Sequence, residues 1–177
     1  VVAGAVLFAE PPLDLPIRDS KKLTPKKRAE LAILIKERAL GVGVGIVHPA
    51  EIDEINILKA TFKAMKEALE SIAPAGEDSS IPSPDMLLID GPYTIDSPIA
   101  QRGIVKGDNL SITIAAASII AKTTRDALMV AYHDEFPEYN FIKNKGYGTK
   151  EHLDALKSFG PTKIHRKSFN LHLNSES

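Results

Sequence analysis

The sequence predicts an α/β or α+β fold, and two observations carry that prediction. Short apolar runs bounded by proline and glycine alternate with longer stretches in which apolar residues recur every three or four positions. Hydrophobic residues make up 44% of the 177-residue chain and charged residues 25%, enough to bury one ordinary core without staples.

Residues 1 to 8, rich in Val, Leu and Phe and closed by Glu10-Pro11-Pro12, read as a buried strand running into a loop. Thr24-Pro25 has the form of a helix N-cap followed by an N1 proline, and Ala29, Leu31, Ala32, Ile35 and Ala39 continue an amphipathic helix that Gly41 ends. Val42, Val44, Ile46 and Val47 alternate with glycines, the pattern of a strand that another backbone approaches closely. From Glu51 to Ile72 the apolar residues Ile52, Ile55, Leu58, Phe62, Met65, Leu69 and Ile72 predict one continuous helix. Pro74 to Pro84 is turn-rich, and too little chain flanks it for two cores. Met86-Leu87-Leu88-Ile89 predicts a short buried strand with Asp90 at its carboxyl end, and residues 100 to 105 another. Ile112 to Tyr132 predicts a long buried helix carrying Lys122, Arg125 and Asp126; a shorter helix follows from Thr149 to Ser158.

Several function classes are excluded or disfavoured. Without cysteine there is neither a disulfide framework nor a thiolate metal site, so a bound metal would be held by oxygen or imidazole. The five histidines, His48, His133, His152, His165 and His172, show no zinc-ligand spacing. The glycine patterns of mononucleotide and dinucleotide loops are absent; Gly41-x-Gly43-x-Gly45 reads as a strand. No apolar run approaches a membrane span and the opening residues lack the basic flank of a signal peptide, so a cytoplasmic protein without membrane contact is expected. A net charge of −1 argues against indiscriminate nucleic-acid binding but leaves room for a local basic face.

Asp90, directly after four apolar residues and in an Asp-Gly-Pro turn, lies where open sheets place ligands. The alternative is a turn aspartate bonded to its own backbone, and position alone leaves both open. Asp126 taken alone reads as an i, i+4 partner of Lys122 on a solvated stripe. Two carboxylates on packed elements could nonetheless share a divalent cation, since magnesium takes only one or two carboxylates besides waters and phosphate oxygens. Basic residues gather at Lys21-Lys22 with Lys26-Lys27-Arg28 and at Lys163 with His165-Arg166-Lys167, either as solvated faces or as phosphate contacts. Tyr147, between Gly146 and Gly148, is either half buried or exposed for stacking on a base or sugar.

Taken in order, several segments resemble the type 2 ribonuclease H family. They are Asp19-Ser20-Lys21-Lys22-Leu23, Glu51-Ile52-Asp53-Glu54-Ile55-Asn56-Ile57, Ile89-Asp90-Gly91, Val105-Lys106-Gly107-Asp108, Ala115 through Lys122 with Arg125-Asp126, Lys145-Gly146-Tyr147-Gly148-Thr149, and His165-Arg166-Lys167-Ser168-Phe169. The resemblance implies a ribonuclease H-like mixed sheet flanked by helices, with four carboxylates holding two divalent ions, Mg2+ or Mn2+. Two of the four map onto Asp90 and Asp126, with Asp108 as the runner-up. The other two belong to an Asp-Glu pair in a central first strand, followed by a Gly-Arg-Gly element that reads the 2′-hydroxyl; neither motif occurs here.

A single catalytic domain over residues 1–177 is therefore expected, lacking its N-terminal strand and for that reason unstable or prone to associate through open strand edges. The expected activity is endonucleolytic hydrolysis of the RNA strand of RNA/DNA hybrids and cleavage 5′ of ribonucleotides embedded in DNA, in an enzyme that is a monomer when complete. Lys21, Asn56, Lys122 and Arg125 would contact phosphates and Tyr147 would stack near the DNA–RNA junction. One competing reading is an inactive nucleic-acid-binding fragment of that enzyme. The other, a transposase- or resolvase-like nuclease, predicts cleavage of DNA without any ribonucleotide. Convergence of Asp90 with Asp126 is the structural condition of the mapping.

Overall fold

A computed structural model describes residues 1–17, 23–74 and 81–168. Strand β1 (Val2–Leu7) pairs antiparallel with β2 (Gly41–Ile46), Val2 opposite Ile46 and Leu7 opposite Gly41. The two-residue β3 (Ala73–Pro74) continues the sheet beyond β2. Strands β4 (Leu87–Asp90) and β5 (Gln101–Ile104) form a separate parallel pair. The strand orders are thus β1-β2-β3 and β4-β5.

Helix α1 (Pro25–Arg38) starts as its sequence dictates: the Thr24 hydroxyl accepts the Lys27 amide at 3.2 Å and Pro25 occupies the first turn. Its inner face buries Leu31, Ala32 and Ile35 against Ala115, Ala116, Ile119 and Ile120 of α5 (Ile112–Glu135), and Val6, Val42 and Val44 of the sheet close this core. The glycines of β2 have the role their spacing predicts. A Cβ on Gly43 would lie 2.0 Å from the Ala68 carbonyl oxygen, and one on Gly45 2.0 Å from that of Ala64, so α3 (Ile57–Glu70) packs backbone to backbone on the strand. Its deepest residues are accordingly Ala60, Ala64 and Ala68, while Leu58 of the expected apolar stripe is exposed.

The continuous helix expected from Glu51 to Ile72 is instead two, α2 (Pro49–Ile55) and α3. Asn56 separates them with φ 70° and ψ 165°, a strained conformation for a residue other than glycine, and its side-chain oxygen caps α3 by accepting the Leu58 and Lys59 amides at 3.0 and 3.1 Å. Periodicity missed the break because apolar spacing persists through it. After β5 come the single-turn α4 (Gly107–Leu110), α5, a 3-10 turn (Pro137–Tyr139), α6 (Phe141–Asn144) and α7 (Lys150–Phe159). Tyr139, Phe141, Ala155 and Leu156 form a second small core there.

The free edges of β1 and β4 both open on a cavity of about 660 Å³, lined by Met65 and Leu69 of α3 and by Ala117 and Ala121 of α5. No helix among the described residues is long and apolar enough to cross a membrane.

Candidate active site

Asp90 ends β4 at the exposed carboxyl edge of the parallel pair, opposite Ile104. Beyond Ile104, Lys106 takes a left-handed conformation (φ 57°) that turns the chain back, and the Gly107 amide then donates to Asp90 Oδ1 at 2.8 Å. The fit at 107 is close: a Cβ there would lie 2.6 Å from Ile114 Cδ1 and 3.4 Å from Asp90 Oδ1. The next residue, Asp108, is buried at 4% exposure, and its Oδ1 accepts from the Asn109 side-chain amide at 2.8 Å. Backbone pairing and a left-handed turn therefore bring Asp90 and Asp108 into one neighbourhood beside the amino end of α5.

Asp126 is not part of it. Asp90 and Ile114 flank the same spot, whereas Asp126 sits twelve residues further along α5. At ~1.5 Å per residue that is about 18 Å along the axis, too far for the carboxyls of Asp90 and Asp126 to share an ion. Asp126 is bound instead to Arg28 of α1, whose Nη1 donates to its Oδ2 at 2.8 Å; the side chains are 7% (Arg28) and 23% (Asp126) exposed. Arg28 Nη2 also donates to the Leu23 carbonyl at 3.0 Å. The i, i+4 spacing to Lys122 hid this partner, which lies 98 residues away in sequence. On that spacing the structure does not bring Asp126 to Asp90, whereas Asp108, weighed second from the sequence, directly follows the Gly107 whose amide binds Asp90.

A cationic patch surrounds Tyr147. Arg125 donates from Nη1 to the Tyr147 hydroxyl at 3.1 Å and from Nη2 to the Lys145 carbonyl at 2.7 Å, with its guanidinium carbon 4.7 Å from the ring centroid. Left-handed Lys145 and Gly146 throw the tyrosine outward, leaving it 60% exposed. Buried Asn144 fixes this turn, donating to the Tyr139 carbonyl at 2.6 Å and accepting the Gly146 amide at 2.8 Å; nothing in the sequence singled it out. The Arg125 hydrogen bond and charge, helped by Lys122, hold the Tyr147 hydroxyl below the usual phenol range, while Asp126 opposes them. Lys122 thus bears on the same hydroxyl. Asn56 serves as a helix cap, and Lys21 lies outside the described residues.

A hard-cation site is chemically consistent with Asp90 and Asp108, because two carboxylates are what magnesium or manganese takes alongside waters and phosphate oxygens. Among the described residues no group of three or more His, Asp or Glu side chains could hold a metal ion, so the four-carboxylate set is not assembled from them.

In place of the single mixed sheet expected from the sequence there are an antiparallel sheet and a separate parallel pair; flanked by helices, with an acid at a strand end, they have the ribonuclease H-like fold. The ribonuclease H2 from Pyrococcus horikoshii OT3 superposes with a TM-score of 0.77 over 96% of this chain and 86% of that one, at 21% identity. Residues 1–172 match the model of the family described as Ribonuclease HII. A Ribonuclease HII of Syntrophus aciditrophicus is 52% identical over 169 residues, 96% of this chain and 76% of the relative. One from Caldanaerobacter subterraneus subsp. tengcongensis is 51% identical over 169 residues, covering 96% of this chain and 67% of the relative. The chain belongs to the ribonuclease HII family.

Proposed function

We propose that this chain acts as the catalytic domain of an endonuclease that hydrolyses the RNA strand of RNA/DNA hybrids and cuts 5′ of ribonucleotides embedded in DNA, leaving a 3′-hydroxyl and a 5′-phosphate. The observation that carries the reading is the Gly107 amide bond to Asp90 at the strand end, which sets the buried Asp108 one residue beyond it. These two residues would hold divalent metal. Two ions, Mg2+ or Mn2+, would supply Lewis acidity to the scissile phosphate and to the attacking water.

The remaining roles are for binding. Lys122 and Arg125, with Lys21, would position backbone phosphates, and the exposed ring of Tyr147 would stack on a sugar or base. For Asn56 the cap bonds favour a structural role, with any phosphate contact made from that fixed position. The cavity between the free edges of β1 and β4, walled by α3 and α5, supports a further extended strand seated between the two sheets in the working enzyme. Such a strand would join the sheets and could add ligands to Asp90 and Asp108.

The second reading, nucleic-acid binding without hydrolysis, draws on the lack, among the described residues, of any group of three or more side chains that could hold a metal ion. One experiment separates the readings. A duplex carrying a single ribonucleotide is incubated with the protein and Mg2+ or Mn2+, and binding and products are both followed. Cleavage 5′ of the ribonucleotide that is abolished by Asp90→Asn and by Asp108→Asn, but kept by Asp126→Asn, is the expected outcome. Binding without cleavage selects the second reading; equal cleavage of all-DNA duplex contradicts both.

A further inference from the structure

The Arg28–Asp126 pair joins a buried guanidinium of α1 to a partly exposed carboxylate of α5, the helix whose neighbouring side chains form the cationic patch. Asp126 is flanked on α5 by Arg125 and lies four residues beyond Lys122, the spacing at which a helical Lys–Asp pair forms. All three α5 groups bear on the Tyr147 hydroxyl, Arg125 and Lys122 in one sense and Asp126 in the other. A carboxylate in that position, left alone, would pair with Lys122 and lower the positive potential of the surface. It does not, because Arg28 reaches across from α1 and takes its Oδ2 at 2.8 Å.

We propose that Arg28 is a positioning residue for substrate binding: it sequesters the Asp126 carboxylate, and so keeps Lys122 and Arg125 available to nucleic-acid phosphates. It touches no substrate itself, being buried at the α1–α5 contact with its other guanidinium bond to the Leu23 carbonyl. The chemistry is a charge balance. With Arg28 the pair is neutral and the patch keeps its two cations; without it an anion enters the patch; without Asp126 a cation is added nearby. A pair that merely joined α1 to α5 would have no such sign, and losing either member would harm the protein in the same direction.

This inference rests on the reading of Lys122 and Arg125 as phosphate contacts, and the test keeps the two apart. Binding of a fluorescein-labelled duplex with one ribonucleotide is measured by anisotropy without metal, across a salt series, with thermal melting of each variant as the check on folding. Arg28→Met is expected to weaken binding on the order of three- to tenfold at low salt, roughly the effect of one phosphate contact. Asp126→Asn is expected to tighten it, and Arg28→Met combined with Asp126→Asn to return it to within about twofold of the parent. Weakening in both single variants and in the double variant overturns the inference, as does unchanged or weaker binding by Asp126→Asn alone. If Arg28→Met does not fold, the sign of the Asp126→Asn effect decides. Unchanged binding by Lys122→Gln with Arg125→Gln overturns the phosphate reading itself, and this inference with it.

Discussion

The two halves of α5 are built for opposite purposes. Its amino half, from Ile114 to Ile120, buries Ala115, Ala116, Ile119 and Ile120 against α1 and β1 and sets Ile114 against Gly107, close to Asp90. Its carboxyl half carries Lys122, Arg125 and Asp126, all partly exposed, with Asp126 bonded to α1 and Arg125 to the Tyr147 turn. One continuous helix thus fixes the core at one end and a charged surface at the other. The contrast teaches that a carboxylate's place along a helix, and not its presence on it, decides whether it can serve the strand-end site. Stability and substrate binding should therefore respond to different substitutions.

The largest effect on stability should come from the amino half. Ile119 is fully buried between α1 and the sheet, so Ile119→Ala should cost about 2–5 kcal/mol in chemical denaturation. The affinity of the folded fraction for a ribonucleotide-containing duplex should stay near that of the parent. A fall in affinity of the folded protein would break the comparison.

Next in size is Asn144, which holds the Tyr147 turn by two bonds from a buried side chain. Asn144→Ala strands the Tyr139 carbonyl and the Gly146 amide, at a cost of about 1–3 kcal/mol. Unlike Ile119→Ala it should also weaken duplex binding, because the left-handed turn that projects Tyr147 loses its brace. Hydrogen exchange at the Gly146 amide should rise, and binding should fall with it.

A pH test probes the small core beyond α5. The His152 and His165 Nε2 atoms lie 3.1 Å apart, and burial, then the charge of His152, push His165 down to about 4. Since the unfolded value is near 6.5, the folded state resists protonation. The His165 contribution is therefore complete above about pH 6.5 and is lost as pH falls from there towards 4. With the ring half exposed, screening reduces this to about 1–2 kcal/mol. Denaturation midpoints measured from pH 7.5 to 4.5 should fall, and His165→Asn should flatten that part of the profile.

How much of this was legible beforehand depends on the range of the interaction. Thr24-Pro25, the alternating glycines of β2 and the apolar run before Asp90 are local signals, and each placed its element. The glycines flanking Tyr147 left it open between half buried and exposed, and its 60% exposure falls on the second side. Asn56 escaped because one left-handed residue can break a helix while the apolar period continues across it. The ion pair of Asp126 escaped because its partner Arg28 is remote in sequence, whereas Lys122 stands at an attractive local spacing. Asp108 depends on the Lys106 turn, a backbone conformation that no side-chain pattern announces.

The smallest expected effect distinguishes the ring of Tyr147 from its hydroxyl. Tyr147→Phe removes only the acceptor of the Arg125 bond at 3.1 Å, leaving the guanidinium its Lys145 carbonyl and its place beside the ring. The residue is largely exposed, so stability should change by less than about 0.5 kcal/mol. If the ring serves as a stacking surface, Phe should bind the duplex nearly as the parent does, whereas Tyr147→Ala should lose about 1–3 kcal/mol of binding, the usual worth of one base on an aromatic side chain. Equal losses for Phe and Ala would assign the work to the hydroxyl. The pH profile offers an independent reading: Arg125 favours the ionised phenol, so a role for the hydroxyl proton would show as binding that weakens in the parent below the usual phenol range and not in Tyr147→Phe.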